Sequence, residues 1–227
     1  MTMKKTDFKK FLPTIIIVAA ILLVSGFVVR ALTTPDSQTT EKSAQPITQA
    51  ETDGLRQGAS LGNPQASVVV TEFGDYQCPS CASWNSYVKN SVIDVYGDKI
   101  LFVFKNFPLP IHENAPAAAQ AVEAAGLQGK FWEMHNIVYE KQQDWEKEQD
   151  PNSKFESYAN QLGLNIEQWK KDRDSDRVKD LISADKSLAD KLQLPGTPAF
   201  LVNGVLLQPK SFKDLNSAID EALTKTQ

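Results

Sequence analysis

The sequence predicts an α/β domain in which a helical segment interrupts one sheet, preceded by a single membrane-crossing helix. Three observations carry this. Phe11 to Val29 is apolar except for Pro13, Thr14, Ser25 and Gly26 and follows four lysines, a run long enough for one crossing. Val68 to Phe73 and Ile100 to Phe104 are continuous β-branched and apolar runs joined by a helix-length connection, which implies parallel pairing of buried strands. From about residue 112 to 192 the pattern is helical, and strand-like runs resume only afterwards, around Asn203-Gly204.

The basic N-terminus, residues 1–10, should stay cytoplasmic and send everything after Arg30 to the outer side. An uncleaved anchor over residues 11–30 is favoured over a cleaved signal peptide. The apolar stretch exceeds a usual signal core, and Val29-Arg30-Ala31 is a poor cleavage site. Beyond residue 30 the chain holds 19 basic against 27 acidic groups, a net of −8, with nothing to suggest nucleic-acid binding. Residues 31–59, rich in Thr, Gln, Ser and Pro, read as a flexible linker. Residues 60–227 then suit one domain with its own core.

Within that domain, Val68 to Phe73 is the first strand, and Gly74-Asp75-Tyr76-Gln77 turns the chain into Cys78-Pro79-Ser80-Cys81. Pro79 suits a first helical turn, and helical spacing continues from Ala82 to Tyr96 before Gly97-Asp98 ends it. Ile100 to Phe104 is the second strand. The helical insertion has breaks at Gly126, Asp150-Pro151, Gly163 and Ser175. Pro198 to Val202 and Val205 to Leu207 form the hairpin, and Ser211 with Asp214 resembles a capping box opening a closing helix that runs to about Thr224.

Cys78 and Cys81 are the only cysteines in 227 residues, and their spacing asks for a chemical reason. At a helix start the Cys78 sulfur would meet unpaired backbone N–H groups and the positive end of the helix dipole, which favour thiolate. Thiolate is the nucleophile and the better leaving group of disulfide exchange, and its stabilisation makes the disulfide a stronger oxidant. Cys81, one turn deeper, would resolve mixed disulfides. An inert staple is the alternative, but so short a loop stabilises little. Metal binding is another, yet His112 and His135 complete no zinc pattern with the two sulfurs. His112 either lines the site or lies on the surface. His135 is expected to pack on its helix, and Phe131, Trp132, Met134 and Tyr139 read as core.

Glu72 shares a strand face with Val68 and Val70, so it is either a buried carboxyl able to exchange a proton with Cys81 or a strand-end glutamate turning to solvent. Thr197-Pro198 opens a strand without an N–H to give the ladder, as expected at an edge or beside a site. If that bond is cis, Thr197 can present its backbone to an extended substrate.

Four stretches in order, Glu72 to Cys81, Asn106 to His112, Gln128 to Trp132 and Gly196 to Gly204, resemble the DsbA-like thiol-disulfide oxidoreductases of the thioredoxin superfamily across about residues 61–224. The resemblance implies a thioredoxin fold with an inserted helical subdomain, Cys78 as the exchanging sulfur, Cys81 as the buried one, a cis Thr197-Pro198 bond, and Glu72 as the family's buried acid. Strongly oxidising relatives carry histidine between the cysteines where this chain has Ser80, so Pro79 and Ser80 become the positions that tune its redox poise. Some relatives bind calcium, but no residues here match such a site, and no metal or cofactor is expected.

The resulting expectation is a membrane-tethered, extracytoplasmic enzyme that donates the Cys78-Cys81 disulfide to exported proteins with reduced cysteines and is reoxidised by a quinone-linked membrane partner. The alternatives are a reductase or isomerase of the same fold, and a noncatalytic module that binds clients or a metal.

Overall fold

The computed structural model describes residues 47–207, 209 and 211–226. The expected cytoplasmic segment 1–10, the membrane anchor 11–30 and the first part of the linker lie outside the described residues. Among the described residues no helix is long and apolar enough to cross a membrane.

The linker expectation fails over residues 47–59. Gln49–Arg56 is a helix, α1, and the chain enters strand β1, Ala59–Gly62, immediately after it. The helix is polar, with Leu55 as its one buried residue, so composition gave no sign of it. It is held at its start by a capping box, in which Thr48 N–H donates to Glu51 at 2.7 Å and Glu51 N–H donates to the Thr48 hydroxyl at 3.2 Å. Its end is fixed by the Thr71 hydroxyl, which donates to the Leu55 carbonyl at 3.0 Å. Leu55 packs on Phe73, Ala189 and Leu201, and that burial anchors a helix too short to be stable alone.

The sheet continues through β2, Val68–Gly74, and β3, Ile100–Asn106, and closes with β4, Ala199–Val202, and β5, Val205–Leu207. Its order is β1-β3-β2-β4-β5. β2 and β3 pair in parallel over their full lengths, as their continuous apolar character requires, whereas β1 and β4 flank them antiparallel. β4 and β5 form the hairpin, with Asn203 and Gly204 both at positive φ (48° and 79°) as a tight two-residue turn demands.

Between β2 and β3 runs one long helix in three parts, α2 (Pro79–Tyr87), a π-helical turn (Val88–Val92) and α3 (Ile93–Tyr96). The helical insertion lies between β3 and β4 and comprises α4 (Ala115–Gly126), α5 (Phe131–Glu140), α6 (Gln142–Trp145), α7 (Asn152–Gln161), α8 (Ile166–Arg173) and α9 (Asp176–Lys191). The closing helix α10, Phe212–Lys225, starts where the Asp214 carboxylate accepts from Ser211 N–H at 2.9 Å.

Period-2 alternation divides the sheet. Val68, Val70, Ile100, Phe102 and Phe200 pack against Trp84 of α2, Val88 of the π-helical turn and Leu215 of α10. Phe73 and Leu201, on the opposite face, meet α1 and α9. The insertion has its own core, in which Trp145, Phe155 and Trp169 are fully buried and which reaches Tyr76, Cys78 and Cys81. A buried ion pair, Lys105 Nζ to Asp185 Oδ1 at 2.8 Å, ties β3 to α9.

Candidate active site

Cys78 is the N-cap residue of α2, with extended backbone (φ −77°, ψ 120°), and Pro79 follows at the first helical position, where its missing N–H costs no hydrogen bond. Helix geometry then puts Cys81 one turn in and fully buried, while Cys78 keeps 8% of its surface exposed. Both are free thiols. The Cys81 thiol donates to the Cys78 sulfur, and the N–H groups of Cys81 and Ser80 point at it. Together they draw the Cys78 thiol down to about 5 against the opposing effect of burial. Cys81 is driven the other way. Burial, followed by the neighbouring Cys78 sulfur, holds it well above the ordinary thiol range.

Glu72 resolves as the buried carboxyl. It is 2% exposed on the α2 face of β2, as strand alternation indicated, and its Oε1 has no hydrogen-bond partner among the described residues. Burial first, then the Cys78 charge, pushes its pKa up to about 8. It lies close enough to Cys81 for its charge to raise that thiol as well.

Thr197 and Pro198 come to the same site from the other end of the domain. Their peptide bond is cis, and the Cys78 thiol approaches the Thr197 carbonyl at 3.6 Å. The structure thus brings together Glu72, Cys78, Pro79, Ser80, Cys81, Thr197 and Pro198, although the last two are more than a hundred residues away in the chain.

Other residues that fix this site have weaker sequence signals. Asp75 is 1% exposed. Its carboxylate accepts from Gln77 N–H and Leu109 N–H, each at 2.8 Å, and meets His112 Nδ1 at 2.8 Å. His112 thus helps pin the Phe107–His112 loop to the cysteine turn. Gln142 donates to the carbonyls of Tyr76 at 2.7 Å and Cys78 at 3.1 Å, holding the turn from the insertion side. Gly74 must lack a side chain because a Cβ there would collide with the Phe104 ring. Asp75 is hinted at by its turn position before the motif. Gln142 has no such signal, since its partners are set by packing of distant segments.

His135 is more than a packing residue of α5. It is buried between the Tyr76 hydroxyl, 2.8 Å from Nδ1, and Asn85 Oδ1, 3.0 Å from Nε2. Since the Asn85 oxygen can only accept, Nε2 carries the proton and Nδ1 accepts from Tyr76. Burial lowers its pKa to about 3, so the ring is neutral.

Residues 55–221 match the family model described as Thioredoxin. A probable disulfide bond formation protein D from Bacillus cereus is 35% identical over 172 residues, which cover 73% of this chain and 79% of that one. The crystal structure of oxidised BdbD from Bacillus subtilis superposes with a TM-score of 0.65 at 27% identity, covering 73% of this chain and 92% of the other. A Na(+)/H(+) antiporter, NhaA 1 of Mycolicibacterium gilvum, is 38% identical over 149 residues; the match spans 63% of this chain and 23% of the antiporter. By family model, relatives and fold, the chain belongs to the DsbA-like thiol-disulfide oxidoreductases of the thioredoxin superfamily.

Proposed function

We propose that the protein is an extracytoplasmic oxidase, tethered by residues 11–30, that donates a Cys78-Cys81 disulfide to exported proteins with reduced cysteines and is reoxidised by a quinone-linked membrane partner. The observation that carries this reading is the division of labour between the sulfurs. Cys78 is partly reachable and stabilised as thiolate at a helix start, while Cys81 is sealed beneath it beside a buried acid.

A client thiolate attacks Cys78 Sγ, the Sγ–Sγ bond breaks, and Cys81 leaves with the electron pair. Because its surroundings disfavour charge, Cys81 takes a proton, and Glu72, neutral up to about pH 8, supplies it. A second client thiolate then attacks the client sulfur of the mixed disulfide, and Cys78 leaves as a stable thiolate. In reoxidation Glu72 carboxylate receives the Cys81 proton. The Thr197 carbonyl offers the docked client a main-chain acceptor next to the reacting sulfur, in the manner of an added strand. Pro79 and Ser80 tune the couple through the helix start, Ser80 by its N–H towards Cys78.

The test is stoichiometric oxidation of a reduced two-cysteine protein by the oxidised full chain. One client disulfide per enzyme is expected, with loss of all activity in Cys78→Ser and a trapped mixed disulfide in Cys81→Ser. Retained activity in Cys78→Ser would refute the assignment. For the location, a membrane-impermeant thiol reagent should label Cys78 in intact, chemically reduced cells; labelling only after lysis would contradict it.

A further inference from the structure

His135 brackets the cysteine motif. Its Nδ1 accepts from the hydroxyl of Tyr76, which precedes Cys78 in the turn, at 2.8 Å, and its Nε2–H donates to Asn85 Oδ1, beyond Cys81, at 3.0 Å. Tyr76 belongs to the turn that delivers the chain from β2 into α2, where the Cys78 N–H donates to the Asp75 carbonyl at 3.1 Å. Asn85 is buried one turn past Cys81 on the same face of α2. One imidazole, carried on α5 of the insertion, therefore joins the segment before the motif to the helix after it.

The imidazole is itself held in place. The rings of Tyr76, Phe104, Phe131, Trp132 and Tyr139 surround it at centroid distances from 4.6 to 5.8 Å. Asn85 is steadied from its other end, where Nδ2 donates to Asn136 Oδ1 of α5 at 3.4 Å. Such a cage takes a planar ring, and among planar side chains only a neutral imidazole offers an acceptor and a donor on separate atoms; Phe has neither, Trp only a donor, and Tyr a single hydroxyl. Burial keeps the ring neutral by lowering its pKa to about 3, so it acts through position and not through charge.

We propose that His135 is a positioning residue for disulfide exchange: it sets where α2 begins relative to the turn, and so keeps the N–H groups of Ser80 and Cys81 on the Cys78 sulfur. This rests on the reading of Cys78 as the exchanging sulfur. Those N–H groups stabilise a thiolate only while the first turn of α2 stays aligned with residue 78, because a hydrogen bond weakens steeply as its angle falls. Gln142 holds the carbonyls of Tyr76 and Cys78, both ahead of the helix interior. His135 supplies the link to the helix itself, and the insertion thereby grips the motif from both ends.

The experiment titrates the Cys78 thiolate by its ultraviolet absorbance and measures the equilibrium of the cysteine pair with glutathione, both in the full chain. Tyr76→Phe removes one oxygen and keeps the ring packing, whereas His135→Leu removes both bonds; Tyr76→Phe carries the test if His135→Leu does not fold. Each should raise the Cys78 pKa from about 5 to about 6 and shift the glutathione equilibrium at pH 7 about tenfold towards the disulfide, which lowers the potential by about 30 mV. Tyr76→Phe should add nothing in a His135→Leu background, since the hydroxyl acts through the imidazole. Leu55→Ala, which empties a buried site under α1, is the control: it should lower the unfolding midpoint and leave both readouts at their wild-type values. Tyr76→Phe at the wild-type pKa and potential, or an equal shift in Leu55→Ala, would overturn the positioning role alone; exchange retained in Cys78→Ser would overturn the reading beneath it and the role with it. A second measurement needs no variant. Imidazole nitrogen-15 NMR of the reduced wild-type protein should show His135 as the Nε2–H tautomer from about pH 5 to 9; an Nδ1–H tautomer, or a ring that titrates in this range, would contradict the clamp.

Discussion

Replacing Glu72 by glutamine should stabilise the reduced protein by an amount that grows with pH. Glu72 has its pKa raised from 4.5 to about 8 by burial and by the Cys78 charge. A raised folded-state pKa means stability that is fully present below the unfolded value and is lost as pH rises through the folded one, so the loss falls between pH 4.5 and 8. At about 1.4 kcal/mol per unit, the carboxyl costs about 3 kcal/mol at pH 7 and about 5 kcal/mol above pH 8. The glutamine amide carries no charge to bury at any pH. The assay is urea unfolding of both reduced proteins from pH 4 to 9, read by the emission of the buried tryptophans Trp145 and Trp169. Cys78 titrates in both proteins, and its coupling to Glu72 is part of the difference between the curves. A difference that is constant across this range would refute the reasoning, because it would mean that Glu72 ionises as freely in the fold as in the unfolded chain.

The thiolate absorbance of the reduced protein should titrate near pH 5 and disappear in Cys78→Ser, with no second sulfur ionising below pH 9; a single step near 9 would contradict the assigned hydrogen bonds. Leu55→Ala should cost about 2 kcal/mol or more in unfolding free energy, since it empties a buried site on β2 and β4, whereas a change near zero would return α1 to the linker. Asp75→Ala should destabilise by about 3 kcal/mol by stranding the N–H groups of Gln77 and Leu109 together with His112, and should slow client exchange as the loop detaches; full activity would exclude a positioning role.

Much of the site was legible because it rests on local rules. The apolar runs of β2 and β3 fixed their parallel pairing, the alternation Val68, Val70, Glu72 fixed the face of the acid, and Asn203-Gly204 marked the hairpin. Pro79 and the cysteine spacing marked the helix start. What escaped depends on distant partners. The α1 helix owes its place to one leucine and a capping box, the β1 edge strand is four residues with every second one exposed, and the π-helical turn leaves no compositional trace. Asn85, His135 and Gln142 act through side chains on separate helices, and a polar residue in a helical pattern does not declare which buried carbonyl or ring it will meet. The strand-opening proline marked Thr197-Pro198 as lying at an edge or beside a site, and the resemblance supplied the cis bond.

The oxidant reading is tested most directly by the reduction potential of the Cys78-Cys81 couple at pH 7, measured against a glutathione or dithiothreitol buffer. Thioredoxin, with a first thiol near 7, sits at about −270 mV, and a first thiol near 5 stabilises the dithiol form enough to raise the couple by about 50 mV. A value of about −220 mV or higher is predicted; a value at or below about −270 mV would contradict the account.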